Sequence, residues 1–155
     1  MARHHAATLG EFWASLPLAR LEPARELFGQ IEASIDPAHE LTMSGGGPTW
    51  AVPPSTYPLG YHANPDLPLA RLQLGNQGGH LAVYDIGLYA DPDVVVQWFV
   101  DEYPRTGWTP NFGRSCIRFT AMTRIPDELV GQLAARTSLA EFLARYEAND
   151  PRTRR

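Results

Sequence analysis

A glycine, two arginines, a serine and the chain's one cysteine fall together in Gly113-Arg114-Ser115-Cys116-Ile117-Arg118-Phe119. A glycine turn followed by Arg114 and Ser115 offers amide, guanidinium and hydroxyl donors to a carboxylate or phosphate, and Arg118 adds a second fork. Ile117 and Phe119 alternate with Cys116 and Arg118, which predicts a strand with Arg118 turned away from the main core. The competing assignment gives both arginines to acidic groups of the protein itself. Cys116 as a nucleophile would need a depressed pKa and a base, and no cysteine-hydrolase signature surrounds it; otherwise it is a strand thiol. All 13 basic residues are arginine. A chain without lysine has no Walker-type phosphate lysine, no Schiff-base lysine and no Ser-Lys dyad.

A second concentration of chemistry lies upstream. Trp50, Tyr57, Tyr61, Tyr84 and Tyr89 accompany His62 around a stretch, Ser55 to Pro68, that carries Pro58, Pro65 and Pro68 and reads as a long ordered loop. Loops of that length in compact domains tend to be functional. These aromatics either line a pocket or fill the core beneath the loop. The expected binding set is therefore Arg114, Ser115 and Arg118 with Tyr57, Tyr61, His62 and Trp50. Its expected occupant is a small anionic or aromatic molecule, bound without catalysis.

Metal and cofactor chemistry is sparser. His4, His5, His39, His62 and His80 form no HExxH or helical His pair, and there is no second cysteine. Glu22 with Glu26, and Glu32 with Asp36, are spaced i,i+4 on one helix as a weak acidic ridge, diluted by Arg20 and Arg25. Gly45-Gly46-Gly47 lacks the lysine and following helix of a phosphate loop. No cofactor is expected.

The elements that must position these groups follow from periodicity. Thr8 to Glu11 has the form of a capping box, with Leu9, Phe12, Trp13 and Leu16 as an apolar stripe stopped by Pro17. A second helix is expected to open at Pro23 and end at Asp36-Pro37, with Gly29 marking a close contact. Leu41 and Met43 precede a glycine turn and a returning strand, Thr49 to Val52. Ala70, Leu72 and Leu74 alternate with Arg71 and Gln73 as a half-buried strand, and Gly75 to Gly79 turns into a strand from His80 to Ile86. Asp91-Pro92 opens a helix carrying Val95, Trp98, Phe99 and Tyr103, closed by Gly107. Pro126 opens another, and the capping box Ser138 to Glu141 starts a last helix with Phe142 and Tyr146, ended by Asn149-Asp150-Pro151.

This order gives an α+β domain, an antiparallel sheet packed against N-terminal and C-terminal helices. Residues 1–150 make one domain, and 151–155 are expected to be a disordered Arg-rich tail. At 44% hydrophobic and 19% charged, the chain of 155 residues reads as globular. No apolar run could span a bilayer, and a net charge of −4 disfavours sequence-independent nucleic-acid binding. A single cysteine suits a reducing cytoplasm. A monomer or weak homodimer is expected, with a small molecule as partner.

From Tyr84 to Glu147 the chain resembles the YdhG-like family of bacterial domains of unknown function. The residues that carry the likeness are Gly87-Leu88-Tyr89, Thr106-Gly107, Asn111 to Phe119, Ile125 to Gly131 and the helix from Ser138 to Glu147, with Gly47 to Trp50 and Gly60 to Asn64 upstream. Arg114 stands where that family commonly has lysine, which keeps the charge and changes its geometry. The resemblance implies a small α+β domain with an antiparallel sheet on helices. Some members stand beside frataxin-like iron-delivery proteins, which implies an iron-binding role as an alternative function. A protein-interaction module is a further alternative.

Overall fold

The structure is a computed structural model that describes residues 6–87, 97–113 and 115–153. Two helices lead, α1 (Leu9–Ser15) and α2 (Leu18–Ser34), followed by four strands, β1 (Glu40–Ser44), β2 (Gly47–Val52), β3 (Leu69–Gln77) and β4 (His80–Asp85). Then come α3 (Gln97–Glu102) with a 3-10 turn at Tyr103–Thr106, β5 (Cys116–Phe119), α4 (Asp127–Ala135) and α5 (Leu139–Asn149). The five strands form one antiparallel sheet in the order β1-β2-β3-β4-β5. The fold is α+β.

The sheet meander comes from its turns. Ser44 pairs with Gly47, so Gly45 and Gly46 are a two-residue loop with φ of 62° and 89°. Two consecutive positive φ values match the right-handed twist of the strands and exclude most side chains. The second hairpin is tighter than the sequence suggests: Gln77 pairs with His80, so Gly75, Asn76 and Gln77 belong to β3 rather than to the turn.

One face of the sheet carries the main core. Trp50, Leu72, Leu74, Leu81, Val83, Ile117 and Phe119 pack there against Phe12, Leu27, Ile31, Val130 and Leu133 of the helices. A smaller cluster joins Val52, Tyr57 and Leu69 to Leu139, Phe142 and Tyr146 of α5. The capping box of α5 forms in full, Ser138 accepting from the Glu141 amide and Glu141 from the Ser138 amide. At α1, Thr8 accepts the Glu11 amide, but the Glu11 carboxylate reaches the Ala7 N–H instead of that of Thr8 (2.8 Å).

Four local expectations are corrected. The second helix starts at Leu18, and Pro23 lies inside it. Arg20 anchors that extra first turn, donating to Asn76 Oδ1, Gln77 O and Gly78 O at 2.7–3.0 Å. Gly29 marks no close contact, since a Cβ there would meet nothing within 4 Å. Arg71 does not alternate outward. A register shift between Trp50 and Ala51 adds a residue on β3 and turns Arg71 inward. It is 1% exposed, 3.5 Å from Asp85, with its guanidinium over the Phe142 ring. Finally, Arg152 and Thr153 are not frayed, for reasons given with the site. The helix expected from Asp91-Pro92 is seen from Gln97 onward; Asp91, Pro92 and Val95 lie outside the described residues.

Candidate functional site

The outer face of the sheet is built from the alternate residues of the same strands. Thr49 of β2 stands beside Gln73 of β3, Gln73 beside Tyr84 of β4, and Tyr84 beside Cys116 of β5. Among the described residues, the loop 53–68 and the end of α5 stand over part of this row and enclose a cavity of about 600 Å³. Thr49, Ala70, Gln73, Tyr84 and Ser115 line it from the sheet, Tyr61, His62, Leu67 and Pro68 from the loop, and Tyr146, Asn149 and Asp150 from the helix end.

The loop is ordered by its own backbone. The amides of Thr56 and Tyr57 return to the Pro53 carbonyl, Tyr61 N–H to Leu67 O, and Leu67 N–H to Asn64 O. Gly60 sits at the crossing with φ of 63°, where a Cβ would lie 2.6 Å from Leu67 O and 2.7 Å from Pro65 O. Only glycine fits a left-handed position packed that closely. Such a self-bonded loop is a preformed wall.

Two polar contacts tie this wall to α5. The Tyr146 hydroxyl accepts the His62 backbone N–H at 2.9 Å and lies 2.6 Å from His62 Nδ1. The tautomer of the imidazole sets which of the two groups donates in this contact, and the Nε2 edge of the ring makes no other hydrogen bond among the described residues. The second contact is centred on Asp150, whose side chain is fully buried. Tyr57 O–H donates to it at 2.7 Å, and Arg152 adds its backbone N–H, Nε and Nη2. The Arg152 guanidinium beside Asp150 holds that carboxyl well below the usual carboxylate range. Burial, with the Asp150 contact second, pushes the Tyr57 phenol up to about 12. Burial also raises Tyr146.

The cavity floor is polar but largely committed. Gln73 Nε2 donates to Ser44 O, Thr49 Oγ1 to Gly47 O, and Gln77 Nε2 to the Tyr84 hydroxyl. Among the described lining groups, those open to a ligand include the Tyr84 hydroxyl proton, Gln73 Oε1, the Ser115 hydroxyl and the His62 ring edge, set among Tyr61, Leu67, Pro68, Ala70 and Ile86.

Of the residues expected from sequence, Tyr61, His62 and Ser115 line this cavity. Tyr57 lies beneath it in the smaller apolar cluster, reaching Asp150. Trp50 is on the opposite face, 1% exposed against Phe28, with its indole N–H on Glu32. Arg118 does face away from the main core, as its alternation implies, but it bonds Asn111 (3.2 Å) and does not line the cavity. Arg114 and Tyr89 lie outside the described residues. Among the described lining residues there is no arginine, so the expected pairing of the Tyr57–His62 loop with Arg118 is not seen, and its pairing with Arg114 lies outside the described residues. Tyr146, Asp150 and Arg152 were not anticipated; Asn149-Asp150-Pro151 reads locally as a helix stop, and nothing in sequence links it to a loop some ninety residues earlier (Asp150 to Tyr57, separation 93).

The acidic ridge on α2 is dispersed. Glu22 pairs with Arg25, Glu32 takes the Trp50 N–H, and Asp36 accepts the amides of Ala38 and Leu139. Those two amides, Ala38 first, hold Asp36 below its ordinary range. Glu26 lies near enough to Asp127 to help raise that carboxyl. Among the described residues no three His, Cys, Asp or Glu side chains converge as a metal set, and no helix is long and apolar enough to cross a membrane.

No family model, curated protein or solved structure matches the chain.

Proposed function

We propose that the chain binds a small, uncharged, partly aromatic molecule in the cavity between the outer face of the sheet and the loop 53–68. One observation carries this reading: a preformed recess of about 600 Å³ with apolar and aromatic walls and a few uncommitted polar groups. Ligand sites typically occupy roughly 300–1,000 Å³ and have this mixture. The described lining supports the uncharged class: its Asp150 carboxylate is already matched by Arg152 and its remaining described side chains carry no cation, while Arg114 lies outside the described residues. Binding is favoured over catalysis because Ser115 and His62 both line the recess without a hydrogen bond between them, while Cys116 lies outside its lining.

Titration with N-phenyl-1-naphthylamine, an uncharged aromatic dye, tests the reading against its sulfonated relative 8-anilinonaphthalene-1-sulfonate. Saturable fluorescence with the uncharged dye is expected, weaker binding of the sulfonate, and loss of both in Ala70→Trp, which fills the floor. Dye binding that survives Ala70→Trp, or no saturable binding at all, refutes it.

A further inference from the structure

We propose that Arg152 is the positioning residue of this cavity, clamping the loop wall onto α5 through its two guanidinium edges. The inference rests on the binding reading for its functional meaning, but its geometry stands alone. One edge of the guanidinium meets the Asp150 carboxylate, Nη2 at 2.8 Å and Nε at 3.1 and 3.2 Å. The other crosses to the loop, Nη1 donating to Leu59 O at 2.6 Å and Nη2 to Gly60 O at 2.7 Å. Asp150 in turn holds Tyr57 O–H, so the loop is gripped both at its first turn and at its crossing point. Tyr61 and His62, the two aromatic residues that the loop contributes to the lining, follow Gly60 directly.

The turn that presents Arg152 is itself fixed. Thr153 N–H returns to Asp150 O, and Thr153 O–H donates to Glu147 O at 2.6 Å. Asp150 bonds the Arg152 amide at 2.8 Å, so the same carboxylate orders both the backbone and the side chain of its partner. A guanidinium is suited to this because its five donors lie in one rigid plane. A lysine ammonium is a single point of charge and cannot serve a carboxylate and two carbonyls at those positions together.

Amide hydrogen exchange on the ligand-free protein, with dye binding measured beside it, tests the clamp. In Arg152→Ala, the Gly60, Tyr61 and Leu67 amides are expected to exchange at least ten-fold faster while β3 and β4 amides hold their wild-type rates. N-phenyl-1-naphthylamine affinity is expected to fall at least ten-fold. Arg152→Lys is expected to behave like Arg152→Ala, and Arg152→Gln is read in the same way if Arg152→Ala does not fold. Wild-type loop protection in these variants overturns the proposal, as does a loss of protection spread evenly over the sheet. If the wild-type protein binds no dye, the cavity reading fails, and the exchange rates still decide whether the clamp exists.

Discussion

Replacing Arg71 with methionine removes one half of an ion pair that is almost wholly buried, the two side chains being 1% and 0% exposed. At the observed 3.5 Å and an effective dielectric near 20, unit charges attract by about 5 kcal/mol. That attraction mainly offsets the desolvation of both groups. Taking away one partner therefore costs about 3–5 kcal/mol, a large share of the roughly 5–15 kcal/mol that keeps a domain folded. Methionine keeps contact with the Phe142 ring, now 5.7 Å from the guanidinium carbon, so packing loss is small. Asp85 keeps the Gly87 N–H at 2.7 Å but loses the Arg71 guanidinium. Urea unfolding followed by tryptophan fluorescence should show the midpoint falling by about 2 M, given a denaturant slope of about 2 kcal/mol per M. Asp85→Asn should cost a similar amount. The double variant should recover most of the loss, because neither charge then remains. Additive losses, or a cost for Arg71→Met below about 1 kcal/mol, would refute the reasoning.

Two glycines should respond oppositely to alanine in the same unfolding assay. Gly29→Ala, exposed in α2 with open space around it, should stabilise by about 0.5–1 kcal/mol. Gly47→Ala should destabilise by about 1–3 kcal/mol, since its Cβ would run into the Leu74 carbonyl oxygen of the neighbouring strand. Two titrating groups should bend the stability–pH curve in opposite senses. Burial, with the Arg71 charge also opposing it, lowers His39 below its ordinary 6.5, so the folded state binds fewer protons there and stability falls as pH drops below about 6.5; His39→Gln should flatten that slope. Burial, with Glu26 second, raises Asp127 to about 6, so its penalty is present above pH 6 and is relieved as pH falls toward 3.8. After allowance for solvent screening, Asp127→Asn should stabilise by about 1 kcal/mol at pH 7.5 and by nothing near pH 3.5.

What the sequence made legible was set by local periodicity. Apolar alternation placed the sheet, the Ser138 box placed α5, and the loop's proline content marked the wall of the cavity. What it hid was where arginines go. Alternation along β3 puts Arg71 outward, and only the extra residue opposite Trp50 and Ala51 turns it in. Arg152 follows a helix stop and reads as solvated tail, yet it is held by a carboxylate and a loop distant in sequence. Arg20 reads as dilution of an acidic ridge and instead ties α2 to the second hairpin. These three share a physical pattern that no single segment displays. Arg20 bonds the carbonyl of Gly78, Arg152 that of Gly60, and Arg71 is paired with the carboxylate that takes the N–H of Gly87. Glycine turns have no side chain with which to anchor themselves, and their exposed backbone groups must be satisfied from elsewhere. A planar fork can hold a turn and an acid or a second carbonyl at separate, fixed positions, whereas an ammonium brings its three donors to one point. A chain whose basic residues are all arginine can therefore spend them inside the fold, and Arg118, which first suggests a ligand and bonds Asn111, is less informative than Arg152, which braces the recess.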